Sequence, residues 1–133
     1  MVNQPIILKT FNKQLSEFID DISTIFPSEK DVMVLATFMK TVIFGKPRAI
    51  IDVWYRFIAL KYNNEIENGE IEYFLNKDYS EDLQSAPGST ETLDAINKLR
   101  STIKLAFDQD VNKEKTIKYM QNLTKLSNLY YNN

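Results

Sequence analysis

The sequence predicts an all-α fold, arranged as a compact single domain of five or six helices in an orthogonal or bundle-like array. The chain has 133 residues, of which 44% are hydrophobic and 26% charged, as in one ordinary globular domain. Hydrophobic residues recur at intervals of three and four, the spacing of a buried helix face. Three glycines and four prolines are too few turn residues for a many-stranded sheet.

The first half of the chain contains three predicted helices. The first spans residues 6–26 and ends at Pro27, which cannot continue a helix. Ser28 has the spacing of a capping box that would start the second helix. This second helix, which ends at Gly45, is hydrophobic on almost every side, so we expect it to be the central and most buried element.

A third helix is predicted over residues 47–67, with Trp54 on its buried face. Asn68-Gly69 would end it, but an Asn-Gly pair is also a signal for a two-residue hairpin. The alternative is therefore a short hairpin at residues 65–72. We favour the helix because Ile66 continues the helical phase and the flanking runs are very short.

The second half begins with a short predicted helix at residues 70–76. The loop at residues 84–90 separates a larger N-terminal part from a C-terminal helical hairpin, all within one domain over residues 1–133. This hairpin comprises a helix at residues 91–107 and a last helix capped by Asn112. The last helix should bury five apolar residues: Tyr119, Met120, Leu123, Leu126 and Tyr130. We expect its end, from Tyr131 onward, to fray.

The composition excludes most catalytic and metal sites. The chain has no cysteine and no histidine, so it lacks the usual zinc ligands, thiol nucleophiles and general base. Its carboxylates are not paired at a spacing that suits acid–base catalysis. No run of about 18 apolar residues suggests a membrane span, and the first residues lack a signal-peptide pattern. We therefore expect no enzyme, no cofactor, no metal, no membrane contact and an intracellular location.

The charges form three blocks along the chain. Residues 1–62 carry 8 basic and 6 acidic side chains, residues 63–94 carry 1 and 9, and residues 95–133 carry 7 and 3, so the balances are +2, −8 and +4. One interpretation is attraction between the blocks inside the folded chain. The other is two surfaces of opposite charge for two partners, with the acidic stretch 65–82 as one of them.

Candidate interaction residues follow from this charge pattern. Lysines of the last helix fall on one face, with a tyrosine just beyond, and basic residues beside aromatic rings suit nucleic-acid contact. An ordinary solvated helix face is the alternative interpretation. In the third helix, one tyrosine and one arginine should point outward, and residues 76–79 form a polar turn. The candidate set is Lys115, Lys118, Lys125, Tyr131, Tyr55, Arg56, Asn76, Lys77, Asp78 and Tyr79.

Three short stretches resemble one protein family. Residues 11–15 read FNKQL, Phe26-Pro27 is followed by Asp31, and residues 74–80 read FLNKDYS. Together they resemble uncharacterised short helical proteins of nucleocytoplasmic large DNA viruses, the giant viruses of algae and protists. The resemblance covers residues 11–83 and not the last third of the chain. It implies an all-helical viral protein in the host cytoplasm, the viral factory or the virion, and it implies no catalytic residues.

Two functions follow as expectations. The first is a non-enzymatic viral protein that acts through protein–protein interaction with a viral or host protein, as a virion or assembly component. The alternative is a nucleic-acid-associated accessory factor that uses the basic face of the C-terminal helix. The sequence leaves the oligomeric state open, including a homo-oligomer.

Overall fold

The computed structural model describes residues 4–70, 98, 100–104 and 110–132. Over these ranges the chain folds into helices without a strand, which confirms the all-α prediction. Residues 98 and 100–104 are helical. The other elements, in chain order, are α1 Gln4–Ile25, α2 Lys30–Gly45, α3 Ala49–Trp54, a π-helical turn Tyr55–Ala59, α4 Leu60–Glu67 and α5 Asp110–Tyr131.

The centre of the core lies between α1 and α5. Helix α1 contacts α2, α3 and α5, and it begins two residues earlier than its predicted start. Its buried hydrophobic residues keep the predicted spacing: Ile7, Phe11, Leu15, Phe18, Ile19 and Ile22. From α5, Met120, Leu123 and Tyr130 are buried, while Tyr119 and Leu126 pack against this core from a partly exposed position.

Helices α3 and α4 form one helical segment that the π-helical turn interrupts. Trp54, the last residue of α3, is fully buried, as predicted. Its ring packs edge-on against Phe11 with the ring centroids 6.0 Å apart. Its indole Nε1 donates a hydrogen bond to Oγ1 of Thr124 on α5 at 3.1 Å. The polar end of a large buried side chain is thus satisfied, which removes the penalty of burying it unpaired.

The end of α4 decides between the helix and the hairpin. Gly69 adopts a positive φ of 79°, its N–H donates to the carbonyl of Ile66 at 3.0 Å, and the N–H of Glu70 donates to that of Glu65 at 2.6 Å. This is a Schellman ending, in which a left-handed glycine closes the last helical turn. The helical interpretation is therefore correct through Glu67, and the described part of residues 65–72 forms no hairpin.

The prediction for α2 is wrong in two respects. The helix begins at Lys30 with Glu29 at the N-cap and no side-chain cap, so Ser28 does not form the predicted capping box. More importantly, among the described elements α2 packs mainly against α1 and α3 at the edge of the core that α1 and α5 form, so it is not the central element. Only one side of it, with Val32, Leu35 and Met39, is buried.

Two details of the C-terminal prediction are also wrong. Asn112 lies inside α5, which starts at Asp110, so it is not the cap. Tyr131 does not fray, because its ring and its hydroxyl both have partners in the fold. Of the helix at 91–107, residues 98 and 100–104 are helical, and Ile103 is buried. The helix at 70–76 and the loop at 84–90 lie outside the described residues, so the division into two parts stays a prediction.

Candidate interaction surfaces

The outer side of α2 carries three exposed hydrophobic residues, including the two most exposed of the described chain, Phe44 and Val34. The exposed fraction is 93% for Phe44, 66% for Val34 and 56% for Met33. We define the α2 face as Met33, Val34, Thr37, Thr41 and Phe44, all of which are exposed. At 100° per residue, Met33, Thr37, Thr41 and Phe44 fall within about 80° of one another, in a stripe about 17 Å long.

The two threonines of the α2 face do not make it polar. The Thr37 hydroxyl donates to the carbonyl of Met33 at 3.1 Å, and the Thr41 hydroxyl donates to that of Thr37 at 2.9 Å. Such back-bonding to the preceding turn satisfies the hydroxyl within the helix. The α2 face is therefore a continuous surface of weakly polar and apolar groups with two large side chains at its ends.

Charged residues lie at both ends of the α2 face. Glu29 and Lys30 precede it, and Lys46 and Arg48 follow it, all of them exposed. Lys40 lies beside the stripe, and its ammonium forms an ion pair with Asp20 of α1 at 2.7 Å. An apolar centre with charged ends is the usual layout of a protein interface.

Three of the predicted interaction residues come together where α3 meets the end of α5. The rings of Tyr55 and Tyr131 stack with centroids 4.6 Å apart. The Tyr131 hydroxyl donates to Asp52 Oδ1 at 3.0 Å, and Arg56 Nε lies 3.3 Å from the same oxygen. The Tyr55 hydroxyl donates to Asn132 Oδ1 at 3.2 Å. We refer to these five residues as the tyrosine clamp.

The tyrosine clamp is a contact within the chain. Burial, and then the hydrogen bond and negative charge of Asp52, raise the pKa of Tyr131 above its usual value. A tyrosine in this setting stays protonated and keeps donating to the carboxylate. Tyr55, Arg56 and Tyr131 thus fasten α5 to α3, although all three keep exposed surface that a partner could contact.

Lys115 also has an internal partner. Its ammonium lies 3.0 Å from Asp21 Oδ2, and the Tyr119 hydroxyl donates to the same oxygen at 2.6 Å. The Tyr119 ring stacks on Phe18 with centroids 4.6 Å apart. Burial alone would raise the pKa of Asp21, but the Tyr119 hydrogen bond and the Lys115 charge lower it on balance. This cluster joins α1 to α5 beside a cavity of about 150 Å³.

The other two lysines of α5 are less constrained. Lys118 and Lys125 are exposed, and neither forms an ion pair with a described residue. Lys125 borders a groove of about 580 Å³ between α4 and α5. The described residues that line the groove include no aromatic ring, and most of their polar side chains are amides: Asn63, Gln121, Asn122, Asn128 and Asn132. The structure therefore separates the three predicted lysines into one that is paired and two that have no ion-pair partner among the described residues.

Asn76, Lys77, Asp78 and Tyr79 lie outside the described residues, as does most of the acidic stretch 65–82. Within the described ranges, no group of three or more acidic residues is placed to hold a metal ion. No described helix is both long enough and apolar enough to cross a membrane.

Comparison of the chain with protein-family models, with curated proteins and with solved structures finds no match. The resemblance to giant-virus proteins therefore stays a prediction that rests on the residues quoted for it.

The α2 face is the feature that sequence reasoning missed. Its signal was present, because a helix that is apolar on all sides has a second apolar side that some other surface must cover. The sequence supports burial inside the domain or burial against a partner equally well. Only the placement of α2 at the edge of the fold distinguishes the two.

Proposed function

We propose that this protein is non-enzymatic and acts through protein–protein contact at the α2 face. The observation that carries the proposal is the exposure of Phe44, Val34 and Met33 on one helix surface. Leaving apolar surface in water costs about 25 cal/mol per Å², so a clustered exposed patch is typical of a binding surface. Phe44, almost fully exposed at the end of the helix, is the residue we expect to contribute most to binding.

The resemblance to giant-virus proteins supports a more specific form of the proposal. On that resemblance the partner is a viral or host protein, and the chain is a virion or assembly component in the host cytoplasm or the viral factory. A protein that builds an assembly requires an apolar surface that is complementary in shape to its partner, and it does not require a reactive cleft. The α2 face has this character.

The test compares two aspartate substitutions at exposed apolar residues. Phe44→Asp disrupts the α2 face, whereas Leu60→Asp changes α4, where Leu60 is 63% exposed. Each tagged full-length variant is expressed in the cells that naturally produce the protein, cross-linked and purified. We expect Phe44→Asp to lose the cross-linked partners and Leu60→Asp to keep them. Circular dichroism of both variants verifies that the helices are intact.

The proposal is wrong if the two variants and the wild type give the same cross-linked products. It is also wrong if Phe44→Asp unfolds the chain, because a residue exposed in the monomer should not be needed for folding.

Nucleic-acid binding is the second candidate, and it is favoured by the exposure of Lys118 and Lys125, which form no ion pair within the described part of the chain. The ion pair between Lys115 and Asp21 weakens it, because one of the three cations is partly neutralised. Binding through these lysines predicts an affinity that falls steeply with salt and is abolished by changing all three to glutamate. The absence of DNA or RNA binding at about 50 mM salt would exclude this candidate.

A further inference from the structure

We propose that the partner on the α2 face is a second copy of this chain, docked by antiparallel pairing of α2 with α2 about a two-fold axis. The inference rests on the proposed function and adds the identity of the partner. It is carried by three independent features of α2: the order of large and small side chains, the positions of the charges, and the lack of like-charge conflict.

The first feature is the symmetry of the apolar stripe. In an antiparallel two-fold pair, residues at the same height have numbers with a constant sum. Phe44 opposite Met33 of the partner subunit gives 77, and Thr41 opposite Thr37 of the partner subunit gives 78, so the two sums agree to within one residue, or about 1.5 Å along the helix axis. One register therefore places each large side chain against a large one and each threonine against a threonine.

The size order along the stripe suits close approach of the two helices. The threonines lie in the middle, where the axes of a crossed helix pair come closest, and interaxial distances of about 8–10 Å require small side chains at that point. Phe44 and Met33 lie at the ends, where the axes diverge and leave space for larger groups. Each copy contributes both ends, so the apolar contact forms twice.

The second feature is the charge at the two ends. Antiparallel pairing brings the start of one α2, where Glu29 is the N-cap, next to the end of the other, where Lys46 and Arg48 follow the last helical residue. Glu29 and Arg48 are both exposed, and neither forms an ion pair with a described residue of its own chain. Two-fold symmetry would create a pair of Glu29 with Arg48 twice, one at each edge of the apolar stripe.

The third feature is that antiparallel pairing avoids repulsion between identical charges, whereas parallel pairing does not. In the antiparallel pair, Lys30 and its own copy lie at opposite ends of the interface. Lys40 lies opposite Thr37 of the partner subunit and is already paired with Asp20. A parallel pair would place Lys30, Lys46 and Arg48 each beside its own copy, which like charges disfavour.

The test begins with sedimentation equilibrium of the full chain over a concentration series. We expect a reversible monomer–dimer equilibrium. Phe44→Asp should weaken it by ~10-fold or more, as for a large buried apolar contact, and Leu60→Asp should leave it unchanged. Glu29→Arg and Arg48→Glu should each weaken the dimer, and the double variant should recover most of the loss, because it reverses the pair.

Cross-linking tests the register, since the chain has no cysteine of its own. Met33→Cys protein mixed with Phe44→Cys protein should form a mixed disulfide dimer on mild oxidation, and either variant alone should form far less. Phe44→Cys protein that cross-links efficiently to itself would overturn the antiparallel pairing.

Each result separates this inference from the proposed function. A monomer at all concentrations overturns the second copy as partner, but the proposed function stands if Phe44→Asp still removes cross-linked proteins from cells. A dimer that Phe44→Asp does not weaken overturns the inference, because the copies then meet elsewhere. If Phe44→Asp changes neither dimerisation nor the cross-linked products, both proposals are wrong.

Discussion

Helices α2 and α5 each differ in one respect from what their sequences predict. Helix α2 is the most apolar segment and was expected at the centre of the core, yet it lies at the edge with Phe44 in solvent. Helix α5 carries lysines and a terminal tyrosine that were expected to be free for a partner, yet Lys115 and Tyr131 hold the fold together. Hydrophobicity thus indicates that a side chain will be covered, but not whether its own chain or another one covers it.

The largest expected effect on stability is at Trp54, which is buried in the core, in contrast to Phe44, which is exposed on α2. Trp54→Ala leaves a large cavity against Phe11. It also removes the indole N–H that donates to Oγ1 of the buried Thr124. It should lower the free energy of unfolding by about 3–5 kcal/mol, as for other large-to-small changes of buried aromatic residues. Urea denaturation followed by circular dichroism measures the loss; less than 1 kcal/mol would contradict this packing.

A smaller effect is expected at the tyrosine clamp. Tyr131→Phe keeps the ring stacked on Tyr55 and removes only the hydroxyl that donates to Asp52. Because this site is partly exposed, we expect a loss of about 1 kcal/mol, below the range for buried charged hydrogen bonds. Tyr131→Ala should cost more, since it also removes the stacking. Equal stability of all three proteins would show that the end of α5 is not fastened.

The pH dependence of stability should come from the cluster of Asp21, Lys115 and Tyr119, which joins α1 to α5. The pKa of Asp21 is lowered in the folded state from its usual 3.8, so its contribution is present above that pH and lost as pH falls through the folded pKa. The pKa of Tyr119 is raised from 10.0 by burial and by Asp21, so its contribution is present below pH 10.0 and lost as pH rises further.

Urea titrations at several pH values, compared between wild type and Tyr119→Phe, measure both effects. The Tyr119→Phe variant should lose much of the fall in stability above pH 10.0. It should also show a weaker fall on the acid side, because one of the groups that stabilise ionised Asp21 is gone. Lys115→Met is a matched variant that should reduce the acid effect and leave the Tyr119 ring in place. If the free energy of unfolding depended on pH in the same way in all three proteins, the contacts of Asp21 with Tyr119 and Lys115 would be contradicted.

The smallest expected effect on stability is at the α2 face. Phe44→Ala should change the free energy of unfolding by at most about 0.5 kcal/mol at concentrations where the protein is monomeric, because the side chain is 93% exposed. The same change should weaken dimerisation clearly in sedimentation equilibrium. A large loss of monomer stability would mean that Phe44 is covered by its own chain, and the contrast between α2 and α5 would then fail.

Much of the fold could be predicted from spacing alone. The period of apolar residues gave α1 almost to its ends, and Asn68-Gly69 marked the end of α4 because only glycine readily takes the left-handed position there. Trp54 was placed in the core by the same period. The position of α2 could not be predicted, because an all-round apolar pattern does not indicate which side faces the core.

The candidate sites were harder to predict for a different reason. Whether Lys115 or Tyr131 is free depends on residues about 80 to 100 positions away, such as Asp21 and Asp52, and no local pattern reveals that pairing. Lys118 and Lys125 carry the same local signal as Lys115, yet they have no such partner among the described residues. A contact with a residue far away in the sequence thus distinguishes a lysine that stabilises the fold from one that a partner could bind.

The π-helical turn Tyr55–Ala59 has a consequence for the alignment of the helices around it. Trp54, Ile58, Tyr62 and Ile66 are all buried and lie four residues apart, a spacing that would drift by about 120° across twelve residues of ideal α-helix. The wider turn, together with the break in dihedral angles at Tyr62, unwinds the segment and keeps all four directed inward. Deleting one residue there would rotate α4 by about 100° and carry Ile66 out of the core.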